Sequence, residues 1–549
     1  MKKKNWIITA IAILVSIIYL SYNITLGYDS SHYIWLSTMF TEQVSFENWD
    51  VVRSFVFPLG IFIINVLLGK SRWSLLIGTF IFYLAMLIAC IKIYEDIIEK
   101  SEKSKIWKCL IIVIFFISVA LNPIIFGFYH VILTEFVAMT LIIWMCYLAW
   151  KWIDSDFFEN KKKYIIYAII FAIVVPFSWH LKQPYLFATL IPLFTATIIS
   201  IVKKHDKKNV WQRIIVLAIC IVTWFISIMG WNMVLKIGNV KQVQDRTTSG
   251  LVDNIIINGI SMYQRDNNPE MRTVKGIKNN DNILEEDKEK IIKILEGKDE
   301  AYKNYIIFDY KPKNEIIENS MILYLKDENI STSESLQFFF TILKEHPSRI
   351  IESYIMNYLT INDIYKMRVD MTYGMKYYIE RTFSWDQETE INFLGYSIYR
   401  ESRNDLDLPE FYAQYAQEYC CINSFIPTVN NIMTKRMGPA VRAFKIIMVF
   451  LPVYWIISII MLIRKNKKYT EQYKRIQQLI TIIYTYAVAQ MALYVVAGSI
   501  VDRYVVPLYL ATLIALMLQI FLVVRRKKFI KVDESNGTEL IRSKKQKNK

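Results

Sequence analysis

The sequence predicts an all-α polytopic membrane protein with about ten transmembrane helices. The chain has 549 residues, of which 54% are hydrophobic and 15% are aromatic, and its mean hydropathy is +0.27. This composition is typical of membrane proteins rather than of soluble enzymes. In a soluble protein the net charge of +16 would indicate a nucleic-acid partner. Here the basic residues stand mostly in short loops between apolar runs, so orientation in the membrane explains them better.

The apolar runs give the individual spans. A helix that crosses a bilayer needs about 20 apolar residues. By that criterion the predicted spans are 5–26, 73–93, 106–121, 132–150, 164–180, 184–202, 213–235, 441–463, 476–497 and 504–524. The first is expected to be an uncleaved span, because its apolar run is too long for a signal peptide and no A-x-A-like site follows it. One further stretch, 54–69, is short and contains Pro58 and Gly60.

Charge decides whether 54–69 crosses. Lys2, Lys3 and Lys4 predict a cytoplasmic N-terminus. If 54–69 does not cross, the later basic loops face the cytoplasm, whereas a crossing would move them all outside. The positive-inside rule therefore predicts that 54–69 lies along the outer surface as an interfacial helix. The protein would then be a multi-pass protein of the cell membrane with both termini inside.

The same pattern divides the chain into four parts. Residues 1–236 form an N-terminal module with seven spans and the interfacial helix. Residues 237–440 are far more polar and are predicted to form an extracytoplasmic lobe of mixed, mainly helical structure. Residues 441–524 carry three more spans, and 525–549 form a basic cytoplasmic tail. The six cysteines include no CxxC pair, so neither a zinc site nor a disulfide framework is indicated.

Ionisable residues gather at the helix ends that are predicted to face outward. The spans themselves hold almost none, and Gln490 is the main polar residue deep within one. The sequence therefore lacks the mid-span charges that mark a proton or ion pathway. The residues at the outer ends are Asp29, His32, Arg53, His130, Glu135, His180, Lys182, Asp502 and Arg503.

Each of these residues also has a purely structural interpretation. Asp29 would be a polar collar after the first span, and Glu135 a carboxylate favoured at a helix N-terminus. Arg503 would pair with Asp502 or with a lipid phosphate, and Tyr33 is expected in the interfacial aromatic belt. The remaining candidates would be interface anchors, namely His180, Lys182 and Arg53. Their shared side and depth nevertheless favour a common site.

Such a set of residues suits one kind of chemistry. A carboxylate can take a proton from an acceptor hydroxyl or orient that hydroxyl. Cations can hold a phosphate and offset the charge that develops on it as it leaves, Arg by forked hydrogen bonds and Lys as a point charge. The apolar spans would provide a groove for a lipid tail. The pattern thus predicts sugar transfer from a lipid phosphate at the membrane surface.

The order of motifs resembles a known family. The first span is followed by YDSSHY, then by WDVVRSFVFPL and LNPIIFGFYHVILTE, and later by SWHLKQPYLF, KEHPSRI and DRYVVPLY. This order resembles the GT-C glycosyltransferases, in particular the protein O-mannosyltransferase-like branch that includes the aminoarabinose transferases of lipid A. The resemblance covers roughly 1–235 and, more loosely, 440–524. That family has a surface helix at the position of 54–69, which the charge pattern predicts independently.

The resemblance implies roles for single residues. Asp29 stands where the family has an acidic residue that acts as catalytic base or orients the acceptor. Glu135 matches a second acid in the second outer loop, and Arg53 matches the basic residue before the surface helix. The family's late RY..P motif corresponds to Arg503, Tyr504 and Pro507 in DRYVVPLY, and such an Arg would bind the lipid phosphate.

The chain departs from the family pattern at two places. Many members have an Asp-Glu pair in the first outer loop, whereas Ser30 follows Asp29 here. The double proline that is common before the surface helix is a single Pro58.

The expected function is that of an inverting membrane glycosyltransferase that uses a polyprenyl-phosphate sugar. Asp29 would activate the acceptor hydroxyl, and Glu135 would support placement of the acceptor or donor. Arg53, Lys182 and Arg503 would hold the donor phosphate. The other predicted substrate-binding residues are His32, His130, His180 and Tyr504. No cofactor is expected, and no pattern indicates a divalent metal.

The expected partners are the lipid-linked donor, membrane lipids and a glycan, lipid or protein acceptor, without nucleic acid. Two alternatives stay open at this point. A transporter or flippase of lipid-linked glycans predicts internal pseudo-symmetry and polar groups at mid-depth, and neither is visible in the sequence. A non-catalytic receptor or scaffold would use 237–440 to bind a partner, and its residues at the outer helix ends would be scattered rather than convergent.

Overall fold

The structure is a computed structural model that describes part of the chain. The described ranges are 5–26, 28–41, 45–51, 53–99, 104–155, 157–202, 207–240, 375–384, 427–464, 469–496 and 502–530, with short pieces between 278 and 362. Predictions for the tail 525–549 beyond residue 530, and for most of the predicted lobe 237–440, lie outside these ranges.

Helices dominate the N-terminal half. They are α1 (Asn5–Leu20), α2 (Tyr28–Thr38), α3 (Val56–Leu68), α4 (Arg72–Tyr94), α5 (Lys105–Val119), α6 (Pro123–Tyr129), α7 (Thr134–Ile153), α8 (Lys161–Leu181), α9 (Leu186–Val202) and α10 (Lys207–Ile237). Single turns of 3-10 helix cover Met39–Thr41, Phe46–Asn48 and Gln183–Tyr185, and a π turn, Glu95–Glu99, extends α4.

The rest of the described chain is also mostly helical. A two-stranded antiparallel sheet pairs β1 (Ile306–Phe308) with β2 (Met321–Leu323). The further helices are α11 (Met375–Phe383), α12 (Pro427–Val449), α13 (Leu451–Ile463), α14 (Glu471–Val496) and α15 (Val506–Val524). Turns of 3-10 helix cover Asp502–Val505 and Arg526–Phe529.

Seven helices of the described chain are long and apolar enough to cross a membrane, or nine if each of two bent pairs is one span. The first bent pair joins α5 and α6 at 58°, and the second joins α12 and α13 at 53°. These nine candidates coincide with all the predicted spans except the first. The prediction of a polytopic helical membrane protein is therefore confirmed at this coarser level, whereas ten spans are one more than the described residues supply by length and composition.

The predicted first span, 5–26, ends early in the structure. Helix α1 stops at Leu20, and Thr25 instead forms a parallel bridge with Val131. In this bridge the Thr25 amide donates to the His130 carbonyl at 2.7 Å, and the Ile132 amide donates to the Thr25 carbonyl at 3.1 Å. The polar run after Leu20 leaves the helix because it pairs with the segment that precedes α7. This pairing fixes the start of α2 beside the start of α7.

Helix α3 occupies most of the predicted interfacial stretch 54–69. It has 13 residues, so it rises about 20 Å and is shorter than a hydrocarbon core of about 30 Å. Phe57 and Ile61 on one side are buried, whereas Val66 and Leu67 are 64% and 73% exposed. A short helix with one buried and one exposed apolar side suits a position along the membrane surface.

Helix α7 lies at the centre of the bundle. It packs against α4, α9, α14 and α15, and most of its side chains are buried. At its C-terminal end the buried Arg213 of α10 donates to the carbonyls of Ile153 and Ser155 at 2.8 and 3.1 Å. These bonds satisfy carbonyls that a helix end leaves without an internal partner. The opposite end of α7 begins at Thr134 and carries Glu135, so a rigid central helix positions this carboxylate.

Candidate functional site

Five of the predicted site residues meet in one place, which we term the charged cluster: Asp29, Arg53, Glu135, Lys182 and Arg503. Each stands at or beside the end of a helix. Asp29 lies in the first turn of α2 and Glu135 in the first turn of α7. Lys182 follows α8 directly, and Arg503 lies in the turn before α15. The bundle thus brings together residues that are up to 474 positions apart in sequence.

Asp29 is paired through both of its carboxylate oxygens. Arg53 Nη2 donates to Oδ1 at 2.8 Å, and Arg503 Nη2 donates to Oδ2 at 2.6 Å. Burial alone would raise the pKa of Asp29, but Arg503, Arg53 and Lys182 outweigh it and hold this pKa well below its usual range. Asp29 is therefore a carboxylate at neutral pH, and it is not the polar collar that its position alone would allow.

Glu135 is the more deeply buried carboxylate, with a side chain 1% exposed. Its Oε1 lies 3.6 Å from Lys182 Nζ and 3.8 Å from Arg503 Nε, while Thr134 donates to Oε2 at 3.3 Å. Lys182 Nζ also lies 3.8 Å from the ring centroid of Tyr504. Burial alone would lower the pKa of Lys182, but Tyr504 and Glu135 outweigh it, so this pKa is raised and the amine stays charged.

The cluster has hydrogen-bonding capacity left over. Among the described residues, Nε of Arg503, Nε of Arg53 and Oε1 of Glu135 have no hydrogen-bond partner. Buried guanidinium donors without an acceptor are costly, because they lose water and gain nothing in return. An anion with several oxygens would accept from the two Nε–H groups, whereas Glu135 Oε1 needs a donor such as a hydroxyl. The arrangement can therefore accept a phosphate between three cations.

An apolar cavity of about 150 Å³ lies beside the charged cluster, between α3, α4, α7 and α8. Its lining includes Phe136, next to Glu135, and Leu181, next to Lys182. Phe57, another lining residue, packs its ring edge-on against Tyr33 at 4.8 Å. An apolar cavity of this size can hold a benzene-sized hydrocarbon.

Two aromatic residues of α2 flank Arg53. Tyr33 is 3% exposed, and its hydroxyl accepts from Arg53 Nη1 at 3.1 Å. The expectation that Tyr33 belongs to an interfacial belt is therefore wrong, because Tyr33 is buried and its hydroxyl is bonded to Arg53. His32 Nε2 lies 3.0 Å from Asp50, and Asp50 is 3.7 Å from Arg53 Nε. His32 thus stands at the edge of the cluster, where Asp50 and Arg53 lie between it and Asp29.

His180 ties the segment before α3 to the bundle. Its Nδ1 lies 2.7 Å from Ser54 Oγ, and its Nε2 lies 3.1 Å from Ser227 Oγ. Ser227 donates to the Trp224 carbonyl, so it accepts from Nε2–H, and Nδ1 accepts from Ser54. Although only two positions separate them, His180 and Lys182 therefore have different surroundings. Ser54, the residue next to Arg53, links His180 to the charged cluster.

His130 does not join the charged cluster. It is fully buried, and its ring stacks on Tyr19 at 4.0 Å. Its two ring nitrogens lie 2.9 and 3.0 Å from the carbonyl oxygens of Phe126 and Tyr19. These contacts join α1 to α6. The predicted contact of His130 with substrate has no geometric support here.

Two residues near the site have roles that sequence reasoning missed. Ser30, the departure from the family pattern, is buried and donates to the Ile132 carbonyl at 2.6 Å. It fastens α2 to the segment before α7. Tyr378, from the predicted lobe, accepts from Arg503 Nη1 at 2.9 Å. No local signal marks Tyr378, because its partner lies 125 residues away.

Comparison with protein-family models, curated proteins and solved structures gives no match to this chain. Within the described ranges, no group of three or more His, Cys, Asp or Glu side chains is arranged to hold a metal ion.

Proposed function

We propose that this protein is a membrane glycosyltransferase of the GT-C type, which moves a sugar from a polyprenyl-phosphate donor to an extracytoplasmic acceptor. The observation that carries the proposal is the convergence of three cations on two carboxylates beside an apolar cavity. Two of the three parts of such a donor have a suitable environment there: the cations suit the phosphate and the cavity suits the hydrocarbon.

The donor would bind with its phosphate between Arg503, Lys182 and Arg53. Arginines suit phosphate because their planar fork matches its oxygens, and lysine adds a point charge. The first isoprene units would enter the cavity lined by Phe136 and Leu181. Burial of this hydrocarbon adds about 25 cal/mol for each Å² removed from water.

Transfer would be a single displacement with inversion. The acceptor hydroxyl oxygen forms a bond to the anomeric carbon, while the bond from that carbon to the phosphate oxygen breaks. The hydroxyl proton passes to Asp29, and the electron pair leaves with the polyprenyl phosphate. Arg503 and Lys182 stabilise the charge that grows on the leaving phosphate. Glu135 keeps these two cations oriented.

Asp29 must give up one pairing before it can act as a base. In the free protein both of its oxygens are paired with arginines. A donor phosphate competes for the same guanidinium groups, and its oxygens would replace one Asp29 oxygen as their acceptor. Asp29 would then be released toward the acceptor only when donor is present. This order protects the lipid-linked sugar from attack by water.

The proposal is tested by transfer from membrane-extracted polyprenyl-phosphate sugars with purified protein in lipid nanodiscs. Wild type is expected to consume donor and release polyprenyl phosphate. Arg503→Lys keeps the charge but loses the fork, so transfer should fall about a hundredfold. Arg436→Lys is the matched control, because Arg436 is on α12 and its guanidinium contacts only the Ile117 carbonyl at 3.5 Å among the described residues.

Two outcomes would contradict the proposal. The first is a folded wild-type protein that leaves every lipid-linked sugar unconsumed, as the transporter and receptor alternatives predict. The second is an Arg503→Lys variant that transfers sugar as fast as the Arg436→Lys control.

A further inference from the structure

Helix α11, which belongs to the predicted lobe 237–440, packs against α6, α12 and the segment after α1. Arg381 Nη1 donates to the Leu26 carbonyl at 2.8 Å, and the hydroxyls of Thr382 and Thr25 lie 3.2 Å apart. Arg381 and Thr382 are buried. These contacts hold α11 against the segment that leads from α1 to Asp29.

Tyr378 reaches from α11 into the charged cluster. It is fully buried, and its hydroxyl accepts from Arg503 Nη1 at 2.9 Å. Its ring centroid lies 5.6 Å from Arg503 Cζ. The two terminal nitrogens of Arg503 are thus divided between Tyr378 and Asp29.

This division fixes the plane of the guanidinium. With Nη1 held by Tyr378 and Nη2 held by Asp29, Nε points toward Glu135 at 3.8 Å without a hydrogen-bond partner in the described chain. Without the Tyr378 hydroxyl, Nη1 loses a charge-assisted bond and the group can turn. The Nε–H group of Arg503, which remains available to an anion, would then lose its fixed direction.

We propose that Tyr378 is a positioning residue, which orients Arg503 for the donor phosphate and makes docking of the lobe a condition for donor binding. This inference rests on the proposed function. It assigns to the lobe a part in the donor site, in addition to any part in acceptor selection. Because Tyr378 acts through Arg503, its loss should weaken donor binding more than it slows the chemical step.

The test compares Tyr378→Phe with Tyr358→Phe in steady-state transfer. Tyr358 also belongs to the predicted lobe, and its hydroxyl donates to the carbonyls of Met448 and Val449 at 3.1 and 2.8 Å, away from Arg503. Tyr378→Phe should raise the donor KM about tenfold, the effect of one lost bond to a charged group, with a smaller change in kcat. Tyr358→Phe should leave both constants within twofold of wild type.

Binding of a short-chain polyprenyl phosphate, measured by calorimetry, separates this inference from the transferase proposal. If wild type binds this lipid without transferring sugar, the transferase proposal fails, whereas a tenfold weaker Kd in Tyr378→Phe still supports the positioning role. Equal affinity in Tyr378→Phe and wild type would overturn it, as would an equal loss in Tyr358→Phe.

Docking itself has an independent readout. In a Thr25→Cys, Thr382→Cys double variant, mild oxidation should form a disulfide between α11 and the segment after α1, because the two hydroxyls are 3.2 Å apart. The locked protein should keep its affinity for polyprenyl phosphate. Absence of the crosslink in folded protein, or loss of lipid binding on its formation, would overturn the inference.

Discussion

At the scale of single residues, the proposed mechanism gives Asp29 two competing roles. As a carboxylate paired with two arginines it holds the cluster together, and as the proposed base it would have to be released from one of them. Its depressed pKa follows from Arg503, Arg53 and Lys182, which outweigh its burial. A carboxylate in this state is a weak base in the free protein. The donor phosphate would therefore be what activates it.

This coupling predicts the pH dependence of kcat/KM, which reports the ionisations of the free protein. The folded pKa of Asp29 lies below its ordinary value of about 3.9, so its ion pairs are complete above that value and are lost only as the pH falls through the lower folded value. Between about pH 5 and pH 8, Asp29 should therefore cause no change in kcat/KM.

Ionisation of a histidine would change kcat/KM in the same pH range. His32 is the histidine at the edge of the charged cluster, 3.0 Å from Asp50. The profile should accordingly be recorded for wild type and for His32→Gln. An acid limb near pH 6 that persists in His32→Gln would contradict the assigned state of Asp29.

At the scale of elements, helix α3 links the charged cluster to the cavity. Arg53 and Ser54 lie just before its N-terminus, and its buried side lines the cavity with Phe57 and Ile61. His180 holds this helix through Ser54 at 2.7 Å. Movement of α3 would therefore displace both Arg53, which is proposed to bind the phosphate, and the wall of the apolar cavity.

Gly78 offers a direct test of the cavity. It lines the cavity opposite α3, and a Cβ there would lie 2.5 Å from Ile64 Cδ1. Gly78→Leu should therefore fill the space and raise the KM for a long-chain donor about tenfold, as expected for an overpacked site. A donor with a very short chain should be affected less.

Gly230→Leu is the matched control, because Gly230 is also within a helix but a Cβ added there would have nothing within 4 Å. It should leave the KM unchanged. Equal KM values for the two variants, with equal thermal stability, would show that the cavity does not receive the donor chain.

The elements also mark how far the sequence could predict this molecule. Hydropathy located the long helices, because each apolar run must bury its own backbone in a bilayer. It overestimated the first span, since the pairing of Thr25 with Val131 depends on a distant segment. For Asp29 and Arg503, the sequence predicted only that they lie on the same side of the membrane and at a similar depth. The roles of Tyr378 and Ser30 were not predictable, because both depend on partners that no local pattern specifies.

At the scale of the whole molecule, the proposed function requires one orientation in the membrane. The charge pattern predicts that 54–69 does not cross, which puts the start of α2, the start of α7 and the predicted lobe on one outer side. Helix α3 has 13 residues, which are too few to cross a bilayer and therefore agree with this prediction. The docking of α11 on the segment before α2 is consistent with the same side.

An accessibility tag inserted at 70–72, at the junction of α3 and α4, tests this orientation. It should react with a membrane-impermeant reagent added from outside to intact cells. A tag in the predicted cytoplasmic loop 94–105 serves as the control and should remain protected. Protection of the tag at 70–72 would mean that 54–69 spans the membrane, and the basic loops would then face outward.

The central claim is that Asp29 is the base of a lipid-linked sugar transferase, and Asp29→Asn tests it most directly. The measurement is transfer from membrane-extracted polyprenyl-phosphate sugar, with Asp154→Asn as the control because Asp154 is also ion-paired, with Arg475. Asp29→Asn should lower kcat at least a hundredfold, while Asp154→Asn keeps wild-type transfer. Undiminished transfer by a normally expressed Asp29→Asn protein would contradict the claim.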